Sequence, residues 1–70
     1  SYGATYTYDQ YQPAYRYGYD LATNPRYSTR TWEDIEPEAR RYWEDREPGA
    51  WERFKEAIRH AWDSVRNAVD

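Results

Sequence analysis

Apolar residues near the C-terminus recur at alternating steps of three and four: Trp51, Phe54, Ile58, Ala61, Val65 and Ala68, with Trp62 and Val69 flanking. At about 100° per residue they occupy one arc of roughly 120°, the width of a core-facing helical stripe. The opposite side carries unlike charges three or four apart: Glu52 and Lys55, Glu56 and Arg59, Arg59 and Asp63, Asp63 and Arg66. This spacing predicts a helix over residues 50–69 with one wet face and one face that needs cover. A lone helix of that length is marginal in water. The preceding residues, with or without a second chain, must supply a partner surface.

Upstream the pattern is less regular. In the first twelve residues Tyr2, Ala4, Tyr6 and Tyr8 alternate with Gly3, Thr5 and Thr7, which is a strand period. Two readings stand: an unstructured tail, or an extended arm laid across its own helices or onto a neighbouring molecule. Between Pro13 and Asn24, Tyr15, Tyr17 and Tyr19 keep the alternation, yet Tyr11, Ala14, Tyr15, Gly18, Leu21 and Ala22 also fit a helical face. Pro13 suits a first helical turn, and Asn24-Pro25 supplies a left-handed cap followed by a stop. The segment is therefore predicted as a helix over 13–24, with Gly18 admitting a close neighbour, a Trp from the later helices. Thr31-Trp32-Glu33-Asp34 carries an N-terminal capping signature. Pro37 argues against one continuous helix from Trp32, so the prediction is a tight turn at Trp32 to Ile35 and a helix over 37–46.

A short repeat runs through this region. Residues 32–39 (Trp-Glu-Asp-Ile-Glu-Pro-Glu-Ala) and 43–50 (Trp-Glu-Asp-Arg-Glu-Pro-Gly-Ala) agree at six of eight positions, offset by eleven. Eleven residues is close to three helical turns, so the two Trp present a similar face. The repeat reads as one turn device used twice, with Pro at the first helical position and a Trp beside it.

Composition changes the picture in one respect. A domain of 70 residues is short of core, and with no Cys and a single His it has neither disulfides nor the donors of a closed zinc site. What it has is aromatic surface: nine Tyr, four Trp and one Phe, 20% of the chain. Each can bury roughly 150–250 Å². The Trp are expected in the core and the Tyr mainly on the surface. The predicted core is Trp32, Trp43, Trp51, Phe54, Ile58 and Trp62.

Charge and motifs narrow the function by exclusion. A net charge of −3 argues against a general nucleic-acid binder. Its distribution, net +1 over residues 1–31 and −4 over 32–70, permits head-to-tail attraction between chains. Nothing in the sequence approaches a membrane span or a signal peptide. Ser1 fits either removal of an initiator Met or a longer cut, which leaves the compartment open. His60 lies opposite the apolar stripe between Glu56 and Asp63 and is expected as a solvated surface residue. Seven acids between Glu33 and Glu47 lack the loop spacing of a calcium site. No phosphate loop or nucleophile motif is present, so neither enzyme activity nor a metal or cofactor is expected.

Three segments, Ala14-Tyr15-Arg16-Tyr17-Gly18-Tyr19, Trp32-Glu33-Asp34-Ile35-Glu36-Pro37 and Trp51-Glu52 through Ala57-Ile58-Arg59-His60-Ala61-Trp62, together resemble an uncharacterised family of short bacterial helical domains. The resemblance covers about residues 13–66, leaves the Tyr-rich residues 1–12 outside it, and implies no activity or cofactor. The expectation is an all-α chain: a small three-helix bundle over residues 13–70 with a Tyr-rich extended N-terminal arm, residues 1–12. Its leading function is self-association, as an oligomer or filament, through the arm and an aromatic surface comprising Tyr2, Tyr6, Tyr8, Tyr11, Tyr15, Arg16, Tyr17, Tyr19 and Tyr27. The alternative is a small module binding a glycan, polyanion or partner protein.

Overall fold

The computed structural model describes residues 8–68, which form an all-α bundle of three helices. They are α1 (Tyr8–Thr23), α2 (Trp32–Arg46) and α3 (Trp51–Ala68), with a short 3-10 turn at Pro25–Tyr27 between the first two. Contacts of Tyr11 with Phe54 and of Gly18 with Ile58 and Ala61 show α1 and α3 running parallel. Trp43 against Phe54 and Glu33 against Arg59 set α2 antiparallel to α3. The core is Ala14, Leu21, Trp32, Ile35, Ala39, Trp43, Trp51, Phe54, Ile58 and Trp62, all buried. It contains every residue predicted for it.

Two helix starts differ from expectation. The first helix begins at Tyr8, not Pro13, so residues 8–12 belong to the bundle; the strand alternation over residues 2–7 lies outside the described residues. The second helix begins at Trp32 and runs straight through Pro37. In both helices Pro is the sixth residue, where it removes an internal hydrogen bond at a cost of about 3 kcal/mol. For α2 the compensation is visible. Starting at Trp32 lets Thr31 cap the helix, its Oγ1 accepting from the Asp34 N–H at 3.2 Å. It also carries Trp32 and Ile35, 5% and 0% exposed, into the core. Two such burials contribute roughly 1.5–3 kcal/mol each, enough to outweigh the Pro. Pro13 and Pro37 are both exposed, so water can reach the carbonyls they leave without a helical donor.

The repeat is therefore not one device used twice. Its first copy starts and continues α2, whereas the second ends α2 and leads through Pro48-Gly49 into α3. The eleven-residue offset does place Trp32 and Trp43 on the same buried face. Asn24 departs from expectation too: its backbone is extended (φ −77°, ψ 121°), and its Oδ1 accepts from the Arg26 N–H at 2.9 Å to cap the 3-10 turn.

Gly18 does admit a close neighbour, but the neighbour is the α3 backbone and not a Trp. A Cβ at this position would collide with the Ile58 carbonyl oxygen and lie 2.8 Å from Ala61 Cβ. Main chain cannot swing aside as a side-chain tip can. Gly18→Ala gains about 1 kcal/mol of helix propensity, yet the forced separation of α1 and α3 is expected to dominate. The predicted outcome is a net loss of about 2 kcal/mol, a fall in melting temperature on the order of 10 °C, measured by circular dichroism. Gly49, at φ +79° with open space around it, must be glycine because of its backbone conformation and not because of packing. Gly49→Ala is expected to cost about 1–2 kcal/mol.

Candidate functional site

The structure divides the predicted site residues instead of gathering them. Tyr2 and Tyr6 lie outside the described residues, and Tyr8 is described only as the first residue of α1. Tyr11 is half-buried, its ring edge-on to Phe54 at 5.2 Å and tilted against Tyr15 at 6.4 Å. Tyr15 and Tyr19 are 36% and 56% exposed on the outer side of α1, one turn apart. With Arg16 they line an open groove of about 880 Å³ between α1 and α3, whose far wall is Ala61, Ser64 and Val65. Tyr17 and Tyr27 face a different groove. Helical spacing explains the split, since Tyr15 and Tyr17 stand about 200° apart around α1. The residues of Tyr15-Arg16-Tyr17 therefore do not share one face, and in Arg41-Tyr42-Trp43 the Trp is buried beside an exposed Tyr.

The second groove, about 510 Å³, lies between α1 and α2 and is open to solvent. Its wall is an aromatic stack. Tyr17 is stacked on Tyr42 at 5.1 Å and on Trp43 at 5.5 Å, and the Arg46 guanidinium sits 3.8 Å from the centroid of the Tyr42 ring. The Tyr17 hydroxyl donates to the Ala39 carbonyl at 3.1 Å. Burial, then the neighbouring Tyr27 and Tyr42, pushes it well above the ordinary tyrosine range. Tyr27 donates to Glu38 Oε1 at 3.1 Å, and burial followed by this bond raises it as well. Because both folded-state values lie above the unfolded value, their contribution to stability is complete below about pH 10 and is lost as pH rises beyond it. Asp20, Glu38 and Asp45 line the groove against one base, Arg41.

Three residues that hold these surfaces in place were not legible as such. Tyr42 is 46% exposed and bridges Tyr17 and Arg46; its spacing of four from Arg46 was the available signal. Arg66, read from sequence as an ion-pair partner of Asp63, instead clasps the loop between α1 and α2. Its guanidinium donates to the carbonyls of Tyr27, Ser28 and Arg30 at 3.4, 3.3 and 3.0 Å and lies 4.5 Å from the centroid of the Trp62 ring. Glu44 reaches from α2 to the start of α3, accepting from the Gly49 and Trp51 N–H groups at 2.8 and 2.9 Å. Of the other predicted charge pairs, Glu52 with Lys55 and Arg59 with Asp63 form, at 3.2 and 3.6 Å, and Arg59 also reaches Glu33 at 3.6 Å.

His60 is exposed, with its ring edge-on to Tyr15 at 6.5 Å. Among the described residues no cluster of three or more His, Cys, Asp or Glu could hold a metal ion, and no helix is long and apolar enough to cross a membrane. Trp43 Nε1 is a buried donor without an acceptor among the described residues, which nothing in the structure explains. The fold and these surfaces define an aromatic-rich three-helix bundle. In comparisons with known proteins, no family model, curated protein or solved structure matches the chain.

Two substitutions check these supports. Arg66→Ala leaves three carbonyls without their charged donor and is expected to cost about 1–2 kcal/mol in denaturant unfolding, with Arg66→Lys intermediate because an ammonium lacks the planar fork. For Glu44, its hydrogen bonds from Gly49 and then Trp51 hold the carboxyl below its ordinary value of 4.5. Its contribution is therefore present above that value and lost as pH falls through the lowered one. Glu44→Gln is expected to lower the melting temperature at neutral pH, with the gap to wild type closing once both chains are neutral at this position in acid.

Proposed function

We propose that this chain is a non-enzymatic interaction module that self-associates through its outer aromatic surface and the residues N-terminal to α1. One observation carries the reading. The core is complete without Tyr15 and Tyr19: all four Trp, Phe54 and both Ile are buried, while these two rings stand exposed one turn apart on a groove. Tyr suits such a role, because it adds contact area at low conformational cost and keeps a polar tip in water. The motif resemblance to short bacterial helical domains adds no ligand, cofactor or reaction.

A second reading, a small module binding a glycan or partner protein, is favoured by the groove between α1 and α2, where an aromatic wall meets three carboxylates. Its acidic rim disfavours a polyanion.

Sedimentation separates the two. Under the first reading the full chain gains mass with concentration. Tyr15→Ser with Tyr19→Ser is expected to weaken that gain by about five- to a hundredfold, since two half-exposed rings contribute roughly 0.5–1.5 kcal/mol each, and removal of residues 1–7 is expected to weaken it as well. The truncation stops at residue 7 because Tyr8–Gln12 is part of α1. A full chain that stays monomeric at millimolar concentration would end the first reading. A glycan-dependent change in Trp fluorescence, reported by Trp43 behind Tyr17, would then support the second.

A further inference from the structure

The groove between α1 and α2 and the loop beside it carry opposite charges, some of which have no ion-pair partner among the described residues. From Asn24 to Thr31 the sequence holds Arg26 and Arg30 and no acid. Arg30 pairs with Asp34 at 3.8 Å, whereas Arg26 is exposed and has no ion-pair partner among the described residues. Across the groove, Asp20 and Asp45 are exposed carboxylates that also lack an ion-pair partner among the described residues. The same groove is lined by the exposed Tyr42, the half-buried Tyr17 and Tyr27, and two further charges, Arg41 and the Glu38 that Tyr27 hydrogen-bonds.

The two charge sets are contiguous. Asn24 and Tyr27, which flank Arg26 in the loop, themselves line the groove that holds Asp20 and Asp45. A patch bearing both halves of a complementary pair can match a second copy of itself about a two-fold axis, each loop facing the other's groove. A contact of this kind closes on two copies. Tyr15, Arg16 and Tyr19 line the other groove, against α3, and Asp20 stands on the edge the two grooves share, whereas Asp45 lines only the first of the two.

We infer that the occupant of the groove between α1 and α2 is a second copy of this chain, placed so that Arg26 of each copy pairs with Asp20 and Asp45 of the other over Tyr42. This rests on the self-association reading and adds a closed two-fold unit to it. The outer Tyr15 and Tyr19 surface, together with the N-terminal residues, then joins one unit to the next.

The test uses full chains in which Tyr15→Ser and Tyr19→Ser remove the outer contact. On this background the expected species at rising concentration is a dimer that goes no further. Arg26→Glu, or Asp20→Asn with Asp45→Asn, raises its dissociation constant on the order of tenfold, because exposed ion pairs are individually weak but the axis repeats them. Added salt weakens the dimer in the same direction. Combining Arg26→Glu with Asp20→Lys and Asp45→Lys in one chain restores association, a result that general loss of folding would not give. Circular dichroism confirms that each single variant stays helical. Association on this background that ignores all these changes overturns the groove assignment and leaves self-association standing. Loss of all association on this background while the unmodified chain associates also overturns the groove assignment. An unmodified chain that never associates overturns both.

Discussion

The approach of α1 to α3 at Gly18 governs the rest of the molecule. With no Cβ at that position, the two backbones come close enough that the Ile58 carbonyl and Ala61 pack directly on α1. Ala14, fully buried one turn earlier, continues the same small-residue surface. Once α1 and α3 are this close, little side-chain volume fits between them, and the large residues must fill the space toward α2. There Trp32 stacks on Trp51 at 6.3 Å and meets Trp62 edge-on at 5.9 Å, while Trp43 and Phe54 close the other end. A thin contact on one side and a thick aromatic layer on the other let a short chain bury a core without disulfide or metal.

The same division explains which tyrosines are left outside. A helix that touches its neighbour through Ala14 and Gly18 cannot also tuck Tyr15 and Tyr19 into that contact, because their positions turn away from it. Tyr17 points toward the thicker side, and there it finds Tyr42, Trp43 and the Ala39 carbonyl. The tyrosines thus sort by their angle around α1. Tyr17, facing α2, becomes part of the fold, whereas Tyr15 and Tyr19 stay exposed, Tyr15 in ring contact with Tyr11 and His60.

The stripe over Trp51 to Trp62 was legible in the sequence because its period and its length agree, and the predicted helix over 50–69 matches α3 to within a residue. The buried residues of α3, Trp51, Phe54, Ile58 and Trp62, followed from the same periodicity, whereas Ala14, Leu21, Ile35 and Ala39 joined the core without being predicted in it. What local rules misjudged was the start of α1 and α2, where each Pro looked like a first helical residue. For α2 the deciding term was tertiary: carrying Trp32 and Ile35 into the core stabilises more than its interior Pro costs. The α3 capping role of Glu44 and the loop clasp of Arg66 left no trace in spacing, since each acts across a turn or between elements far apart in sequence. The site residues were identified by type alone, and type does not encode which side of α1 a Tyr occupies.

The central claim is that aromatics left over after the core is filled carry association, while the buried aromatics do not take part. Nuclear magnetic resonance through a dilution series tests it most directly, with ring signals of Tyr15, Tyr19 and Tyr42 followed beside the indole N–H signals of the four Trp. The account predicts concentration-dependent shifts at the exposed tyrosines and none at Trp32, Trp51 and Trp62. Tyrosine signals that stay fixed across the series, or indole signals of Trp32, Trp51 and Trp62 that move with them, would contradict it.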